Sequence, residues 1–116
     1  MAALNNFGAI FTFAIEFEGQ LADYFQKAGQ ADLASASSKR KTNFERVRRE
    51  NITEIKLEPI EGLDSDNYAI DASDTSAEGV SNAKAIAIKF YNDVAPQINV
   101  REAQRALEKA AKQYGV

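Results

Sequence analysis

Apolar residues recur at helical spacing along most of the chain, and this periodicity is the strongest constraint on its fold. Gly29 is placed to end a first helix, and Pro59 and Pro96 each interrupt the pattern. No segment alternates apolar and polar residues long enough to predict a strand. The sequence therefore predicts an all-α protein with four helices, at about 3–29, 31–57, 76–94 and 99–114.

The lengths of the connections predict how these helices follow one another. The breaks at Gly29 and Pro96 are short, so each should join two helices into an antiparallel hairpin. Residues 59–75 combine Pro, Gly, Asp, Asn and Ser and predict a long crossover loop. We therefore expect residues 1–116 to form one domain, an antiparallel four-helix bundle of two hairpins joined by a crossover, which is the ferritin-like connectivity.

Two residue types are missing, and their absence narrows the possible chemistry. The chain has no cysteine, which excludes disulfides, cysteine-ligated iron–sulfur clusters and thiol catalysis. It also has no histidine, the commonest metal ligand and general base. The net charge of -3 gives no overall attraction to nucleic acid or anionic lipid. Because Glu16 and Glu18 cut the N-terminal apolar run, we expect neither a signal peptide nor a membrane span, and a cytoplasmic location.

The two glutamates of the first predicted helix point in different directions. Each residue of an α-helix advances about 100°, so Phe11 and Phe25 lie within roughly 20° of Glu18. Glu16 lies roughly 160° away and should face solvent. Glu18 is thus central on the apolar stripe. If it is buried there, it needs a cation, a metal or a proton, because an unpaired buried charge costs several kcal/mol.

The other helices place further polar residues on their apolar stripes. Lys84 is central on the third helix, on the same side as Tyr91. On the second helix Asn51 lies near the middle of the stripe, flanked by Arg48 and Glu54. The predicted stripe of the fourth helix has no central carboxylate and consists of Val100, Ala103, Leu107, Ala110, Ala111 and Tyr114.

Three segments resemble helices of rubrerythrin-like members of the ferritin-like superfamily. AIEFEGQLADYFQKAG resembles the first helix, in which a ligand glutamate precedes an aromatic pair by seven residues, as Glu18 precedes Phe25. FERVRRENITEIKLEPI resembles the second helix, and AKAIAIKFYNDVA resembles the third. The resemblance implies a four-helix bundle with a carboxylate-bridged dinuclear iron or manganese site, built from two glutamates and two Glu-x-x-His pairs.

The chain departs from that ligand pattern at most positions. Glu18 keeps the ligand position, Lys84 stands at the matching position of the third helix, and Asn51 and Glu54 replace the second-helix pair. The fourth helix offers Glu108, with Ala111 where histidine is expected. The candidate metal ligands that remain are Glu18, Glu54 and Asn51.

These departures leave three hypotheses for the buried polar residues. Glu18, Asn51, Glu54 and Lys84 could form a buried ion-pair or hydrogen-bond network that replaces the metal, with Arg48 as a second cation. A mononuclear site, or one completed across a subunit interface, could be retained. The same residues could instead reach solvent at the ends of the bundle.

We expect the first hypothesis to hold. It predicts a non-catalytic ferritin-like protein without a cofactor, with a structural or partner-binding role. The alternative is a rubrerythrin-like iron- or manganese-binding protein, or an oxidoreductase of the non-haem di-iron type, with an incomplete or intersubunit carboxylate site.

Two charged segments and one apolar face bear on possible partners. SSKRKTNFERVRR holds six basic residues against one acid, a pattern that fits nucleic-acid contact but more simply a solvated helix face, and we expect no nucleic-acid binding. The segment from Glu58 to Glu78 holds seven acids and no base. Because it lacks the ligand spacing of an EF-hand, calcium binding is the weaker interpretation, and an acidic loop that faces the basic helix is the simpler one. A second apolar face lies off the stripes that contain Glu18 and Lys84; it contains Phe13, Phe17, Ile86 and Phe90. Ordinary packing against neighbouring helices is one reading of it, but it also predicts a homodimer through helix faces and leaves room for an unidentified protein partner.

Overall fold

A computed structural model describes residues 7–51, 64–98 and 100–114. Within these ranges the chain forms four α-helices, which confirms the predicted all-α class. The helices are α1 (Phe7–Lys27), α2 (Ala31–Asn51), α3 (Ala77–Val94) and α4 (Arg101–Tyr114). Two short 3₁₀ helices, Ser65–Tyr68 and Ala95–Gln97, precede and follow α3. The remainder of the predicted second helix, 52–57, lies outside the described residues.

The turn between α1 and α2 is set by Gly29. Its φ of 75° lies in the left-handed region, which a residue with a Cβ adopts only at a cost. This conformation lets the Gln30 amide donate to the Phe25 carbonyl at 2.8 Å and the Gly29 amide donate to the Gln26 carbonyl at 3.2 Å. The two bonds satisfy the last carbonyls of α1 in a Schellman motif. Only three residues therefore separate the end of α1 from the start of α2.

The N-terminus of α3 is fixed by a short polar segment. The Ser76 hydroxyl accepts a hydrogen bond from the Gly79 amide at 3.2 Å, which caps the helix. The Asp74 carboxylate in turn accepts from the Ser76 amide at 3.1 Å. Gly79 lies so close to Asp74 that a Cβ would come within 2.2 Å of the Asp74 carbonyl oxygen. A glycine is therefore required where the connection meets α3.

The helices pack in two layers. α1 packs most extensively against α2, and α3 packs against α4. α2 also contacts α4, while α1 contacts α3. One layer therefore contains α1 and α3, and the other contains α2 and α4. The core between them includes side chains from all four helices.

Aromatic side chains that sequence periodicity placed on a second face are packed inside the chain. Phe17 and Phe90 are buried, and their ring centroids lie 5.4 Å apart. Phe13 stacks on Phe17 at 5.4 Å, and Tyr68 from the first 3₁₀ helix covers Phe90 at 5.0 Å. Phe90 thus shows the ordinary packing inside the chain that was one of the two readings of this face, with Tyr68 extending the core over that side of α3. Its packing inside the chain removes the main reason for predicting a dimer through this face.

Within the three described ranges no helix is both long enough and apolar enough to cross a membrane.

The turn at Gly29 yields a matched pair of substitutions. Gly29→Ala should lower the free energy of unfolding by about 1 kcal/mol, because alanine is strained at positive φ. Gly19→Ala, in the middle of α1, should raise it by roughly 0.5–1 kcal/mol, since a Cβ there meets only the Lys41 side chain at 3.7 Å. Urea unfolding followed by circular dichroism measures both, and equal effects of the two substitutions would contradict the assigned turn.

Candidate functional site

Glu18 lies in the middle of the buried side of α1 and has no exposed surface. Its neighbours on that side are apolar or aromatic: Ile10, Phe11, Ala14, Phe17, Leu21, Tyr24 and Phe25. Glu16 is exposed. Helical geometry thus predicted correctly which of the two glutamates enters the core.

Three donors surround the Glu18 carboxylate, and each comes from a different helix. Arg40 of α2 donates from Nε to Oε2 at 2.9 Å. Tyr91 of α3 donates its hydroxyl to the same oxygen at 2.5 Å. Tyr114 of α4 donates its hydroxyl to Oε1 at 2.6 Å. The single carboxylate therefore joins all four helices in one buried network, which we call the Glu18 network.

Arg40 is itself held from several sides. Its Nη2 donates to the Ser37 hydroxyl at 3.0 Å, and its Nη1 donates to the side-chain oxygen of Gln113 at 3.0 Å. Its guanidinium carbon lies 4.1 Å from the centre of the Tyr114 ring, a cation–π geometry. Ser37 and Tyr114 approach within 3.2 Å of each other. A planar guanidinium can satisfy these partners at once because its donors point outward in a fixed fork.

Burial and charge together shift the pKa values of the network. Burial raises the pKa of Tyr91 well above its ordinary value, and the nearby Glu18 carboxylate raises it further. Burial and the Glu18 charge likewise raise the pKa of Tyr114. Burial alone would lower the pKa of Arg40, but the charge of Glu18 holds it above the ordinary value. Both phenols therefore stay protonated as donors, and Arg40 stays a cation.

The predicted pairing of Glu18 with Lys84 was wrong. The cation that the structure places at Glu18 is Arg40, and Lys84 is half-buried beside Val80 and Ile88. The buried side of α3 runs through Val80, Ala83, Ala87, Phe90, Tyr91 and Val94. Lys84 lies within about 20° of Tyr91 around this helix, so the two residues differ in their level along it rather than in direction. Tyr91, two turns further on, reaches Glu18 instead.

The other predicted members of the network have mixed outcomes. Arg48 is half-buried, and its Nε is buried without an acceptor among the described residues. It is not an ion-pair partner of Glu18 there. The side chain of Asn51 and the whole of Glu54 lie outside the part of the chain that the structure describes. Glu108, the fourth-helix candidate, is exposed, whereas Ala111 is buried as its place on the stripe predicted.

Sequence reasoning missed Arg40, although two signals indicate it. Arg40 lies about 40° from Phe44 on α2, within the apolar stripe. Glu18 and Arg40 also stand at equal distances from Gly29, eleven residues before it and eleven after it. In an antiparallel hairpin that turns at this glycine, the two residues would lie at the same level. Tyr114 was correctly placed on the stripe of α4, but its hydroxyl was not considered as a partner for a carboxylate.

The donor set around Glu18 does not suit a metal ion. Both carboxylate oxygens already accept hydrogen bonds, and the three groups that supply them are donors rather than ligands. Arg40 also places a positive charge 2.9 Å from Oε2, where it would repel a divalent cation. Within residues 7–51, 64–98 and 100–114, no group of three or more acidic, cysteine or histidine side chains is placed to hold a metal.

Removing the cation should be severely destabilising. Arg40→Met leaves Glu18 buried without its charge partner and should cost on the order of 3–5 kcal/mol of unfolding free energy. Combining it with Glu18→Gln removes the stranded charge and should recover part of that loss. Urea unfolding of the single and double variants measures both effects.

Lys84→Met is the matched control, because it removes a cation from α3 that does not pair with Glu18. We expect a change within about 0.5 kcal/mol, typical of a position away from buried networks. A loss at Lys84 as large as that at Arg40 would contradict the network described above.

The two phenols make stability depend on pH in the alkaline range. In the unfolded chain a tyrosine releases its proton near its ordinary pKa of 10.0, whereas folded Tyr91 and Tyr114 hold theirs to higher pH. Their contribution is therefore complete below pH 10 and is lost as pH rises above it, by about 1.4 kcal/mol per pH unit for each tyrosine. Unfolding measurements from pH 8 upward should show this decline.

The control for this decline is the Tyr91→Phe/Tyr114→Phe variant. It keeps Tyr24 and Tyr68, whose pKa values burial also raises, so only the part of the slope due to the network should disappear. Tyr114→Phe alone provides the same comparison if the double variant does not fold. Unchanged slopes would show that these hydroxyls are not held as donors.

Comparisons with protein-family models, with curated proteins and with solved structures find no match to this chain. No ligand or activity is therefore suggested by a relative. The chemistry of the Glu18 network and of the surfaces around it is the basis for a functional proposal.

Proposed function

We propose that this chain is a non-catalytic helical protein with a structural or partner-binding role. In this proposal it has ferritin-like connectivity, and the Glu18 network stands where that superfamily holds its metal ions. The observation that carries the proposal is the full engagement of Glu18 by Arg40, Tyr91 and Tyr114.

Contacts between the helices support the proposed connectivity. Phe11 lies against Phe44 at 5.7 Å, while Glu18, two turns later on α1, binds Arg40, one turn earlier on α2. Such opposite order along the two helices fits an antiparallel hairpin. The contacts of α1 with α3 and of α2 with α4 fit two hairpins laid side by side, as in ferritin-like bundles.

The energetics of the network favour a role in specifying the fold. Removing a carboxylate and a guanidinium from water costs much of what their attraction returns, so such a pair adds little net stability compared with apolar side chains. Its geometric demands are strict, however, because Glu18 must meet donors from three other helices at once. A register shift of any helix would strand a buried charge. The network therefore selects one arrangement of the four helices.

A fixed arrangement suits a protein that presents its outer surface to a partner. Reactive chemistry at Glu18 would require a substrate to displace Arg40 or a phenol, and the carboxylate has no exposed surface. The outer faces of α2 and α4, by contrast, enclose a groove of about 380 Å³ that is lined partly by charged side chains. In this proposal the buried network holds the bundle rigid, and binding takes place on the surface.

Metal analysis tests this proposal against the iron- or manganese-binding alternative. Protein produced in medium supplemented with iron and manganese should contain far less than one metal ion per chain, because the oxygens of Glu18 are already engaged. Inductively coupled plasma mass spectrometry of the purified protein gives the stoichiometry.

Glu18→Ala and Glu16→Ala serve as matched variants, since one removes the buried carboxylate and the other an exposed one on the same helix. Trace metal that is equal in both is adventitious. One or more tightly held ions per chain that disappear only in Glu18→Ala would refute the proposal and establish the metal-binding alternative.

A further inference from the structure

Charge is divided between the two layers of the bundle. α2 and α4 together carry ten lysines and arginines against five acids. α1 and residues 64–94 carry nine acids against three bases. Because α2 contacts α4 and α1 contacts α3, this division along the chain becomes a division in space. In the part of the chain that the structure describes, the two layers therefore carry opposite net charge, although the net charge of the whole chain is only -3.

Most of the cations on the α2/α4 layer are exposed and unpaired among the described residues. Arg40 is used inside the Glu18 network, and Arg46 pairs with Glu50 and Glu102. The exposed cations without an ion pair to a described residue define what we call the basic face: Lys39, Arg49, Arg101, Arg105, Lys109 and Lys112. A polyanionic surface could therefore engage this face without breaking an ion pair seen in the structure.

The groove between α2 and α4 lies within the basic face. Lys39 and Lys109 line it from the two helices, and Arg40 and Tyr114 of the Glu18 network lie at its base. Small side chains, including Ala36 and Ala106, keep it open. The groove is thus a recess with cationic walls, of a size that can take several carboxylate side chains.

The opposite layer carries a matching set of acids. The exposed carboxylates that form this acidic face are Glu16, Asp23, Asp66, Asp71 and Glu78, and none has an ion pair among the described residues. The segment that bears Asp66 and Asp71 is tied to α1 by a hydrogen bond from the Tyr24 hydroxyl to the Asp74 carbonyl and by the contact of Tyr68 with Phe13. These contacts therefore hold the acids of α1 and of this segment together on one surface.

We propose that the basic face of one copy of this chain binds the acidic face of a second copy, so that copies associate head to tail. Charge complementarity supports this occupant, because the two faces carry opposite unpaired charges and lie on different layers of the same molecule. The proposal rests on the partner-binding role proposed above and names the partner as the chain itself. A head-to-tail contact uses two different surfaces, so it can extend to further copies.

The salt dependence of association is the first test. Sedimentation velocity of the wild-type protein in about 0.01 M salt should give a weight-average mass that rises with concentration above the monomer value of 12.7 kDa. In about 1 M salt, where the screening length falls roughly tenfold, the mass should return to that of the monomer. Monomer at every concentration in low salt, or association that salt leaves unchanged, would overturn the proposal.

Charge-reversal variants then test the two faces separately. Lys39→Glu/Lys109→Glu reverses the charge on both walls of the groove, and Glu16→Lys/Asp23→Lys reverses two charges of the acidic face; all four positions are exposed helix positions. Each variant alone should be monomeric in low salt, whereas an equimolar mixture of the two should associate. Lys27→Glu/Lys84→Glu changes the net charge as much as the first variant but leaves the basic face intact and the other layer acidic, so it should still associate in low salt.

Two further outcomes would contradict the proposal. If either face variant still associates alone, the contact does not use these faces. If the wild type stays monomeric but binds a single-stranded DNA oligonucleotide in low salt, and Lys39→Glu/Lys109→Glu does not, the basic face serves nucleic acid rather than a second copy. Circular dichroism of each variant verifies that it is folded. Self-association and metal content are measured independently. Failure of the head-to-tail proposal would therefore not decide whether the chain is a non-catalytic protein.

Discussion

A single buried carboxylate imposes the strictest requirement on this fold. Glu18 lies among aromatic and aliphatic side chains with no exposed surface, where an uncompensated charge would cost several kcal/mol. Arg40, Tyr91 and Tyr114 remove that cost, and each is supplied by a different helix. The positions of α2, α3 and α4 relative to α1 therefore all depend on the needs of one side chain.

The elements around the network are consistent with this requirement. The left-handed glycine at position 29 allows a turn short enough to bring Arg40 level with Glu18. The Ser76 cap and the close approach of Gly79 to Asp74 fix where α3 begins, and hence the level of Tyr91. Tyr114 stacks on Tyr91 with ring centroids 6.2 Å apart, which ties the end of α4 to the same level. Local turn chemistry and the buried network thus select the same helix registers.

The same arrangement gives the molecule two unlike surfaces. Cations concentrate on α2 and α4 and acids concentrate on the other layer, while a buried ion pair between Glu18 and Arg40 joins the two layers. At the centre of the bundle both oxygens of Glu18 accept hydrogen bonds, whereas the charges of the basic and acidic faces lie on the outside.

Sequence periodicity was sufficient for the helices and for the burial of Glu18, because both depend on residues of a single helix. Periodicity could not predict the partner of Glu18, because that depends on how the helices are rotated and shifted along their axes relative to one another. Lys84 and Tyr91 lie on nearly the same side of α3, and only their heights distinguish them. Periodicity also could not decide what covers Phe90, since the covering ring of Tyr68 comes from a distant segment of the chain. The equal spacing of Glu18 and Arg40 about Gly29 was available in the sequence and would have identified the cation.

The central claim is that Arg40, Tyr91 and Tyr114 all donate to Glu18 in the folded protein. Nuclear magnetic resonance tests it by observing the Arg40 Nε proton and the two tyrosine hydroxyl protons directly. The account predicts that all three exchange slowly with water and that all three resonances shift in Glu18→Gln. Rapid exchange of all three protons, or resonances that Glu18→Gln leaves unchanged, would contradict it.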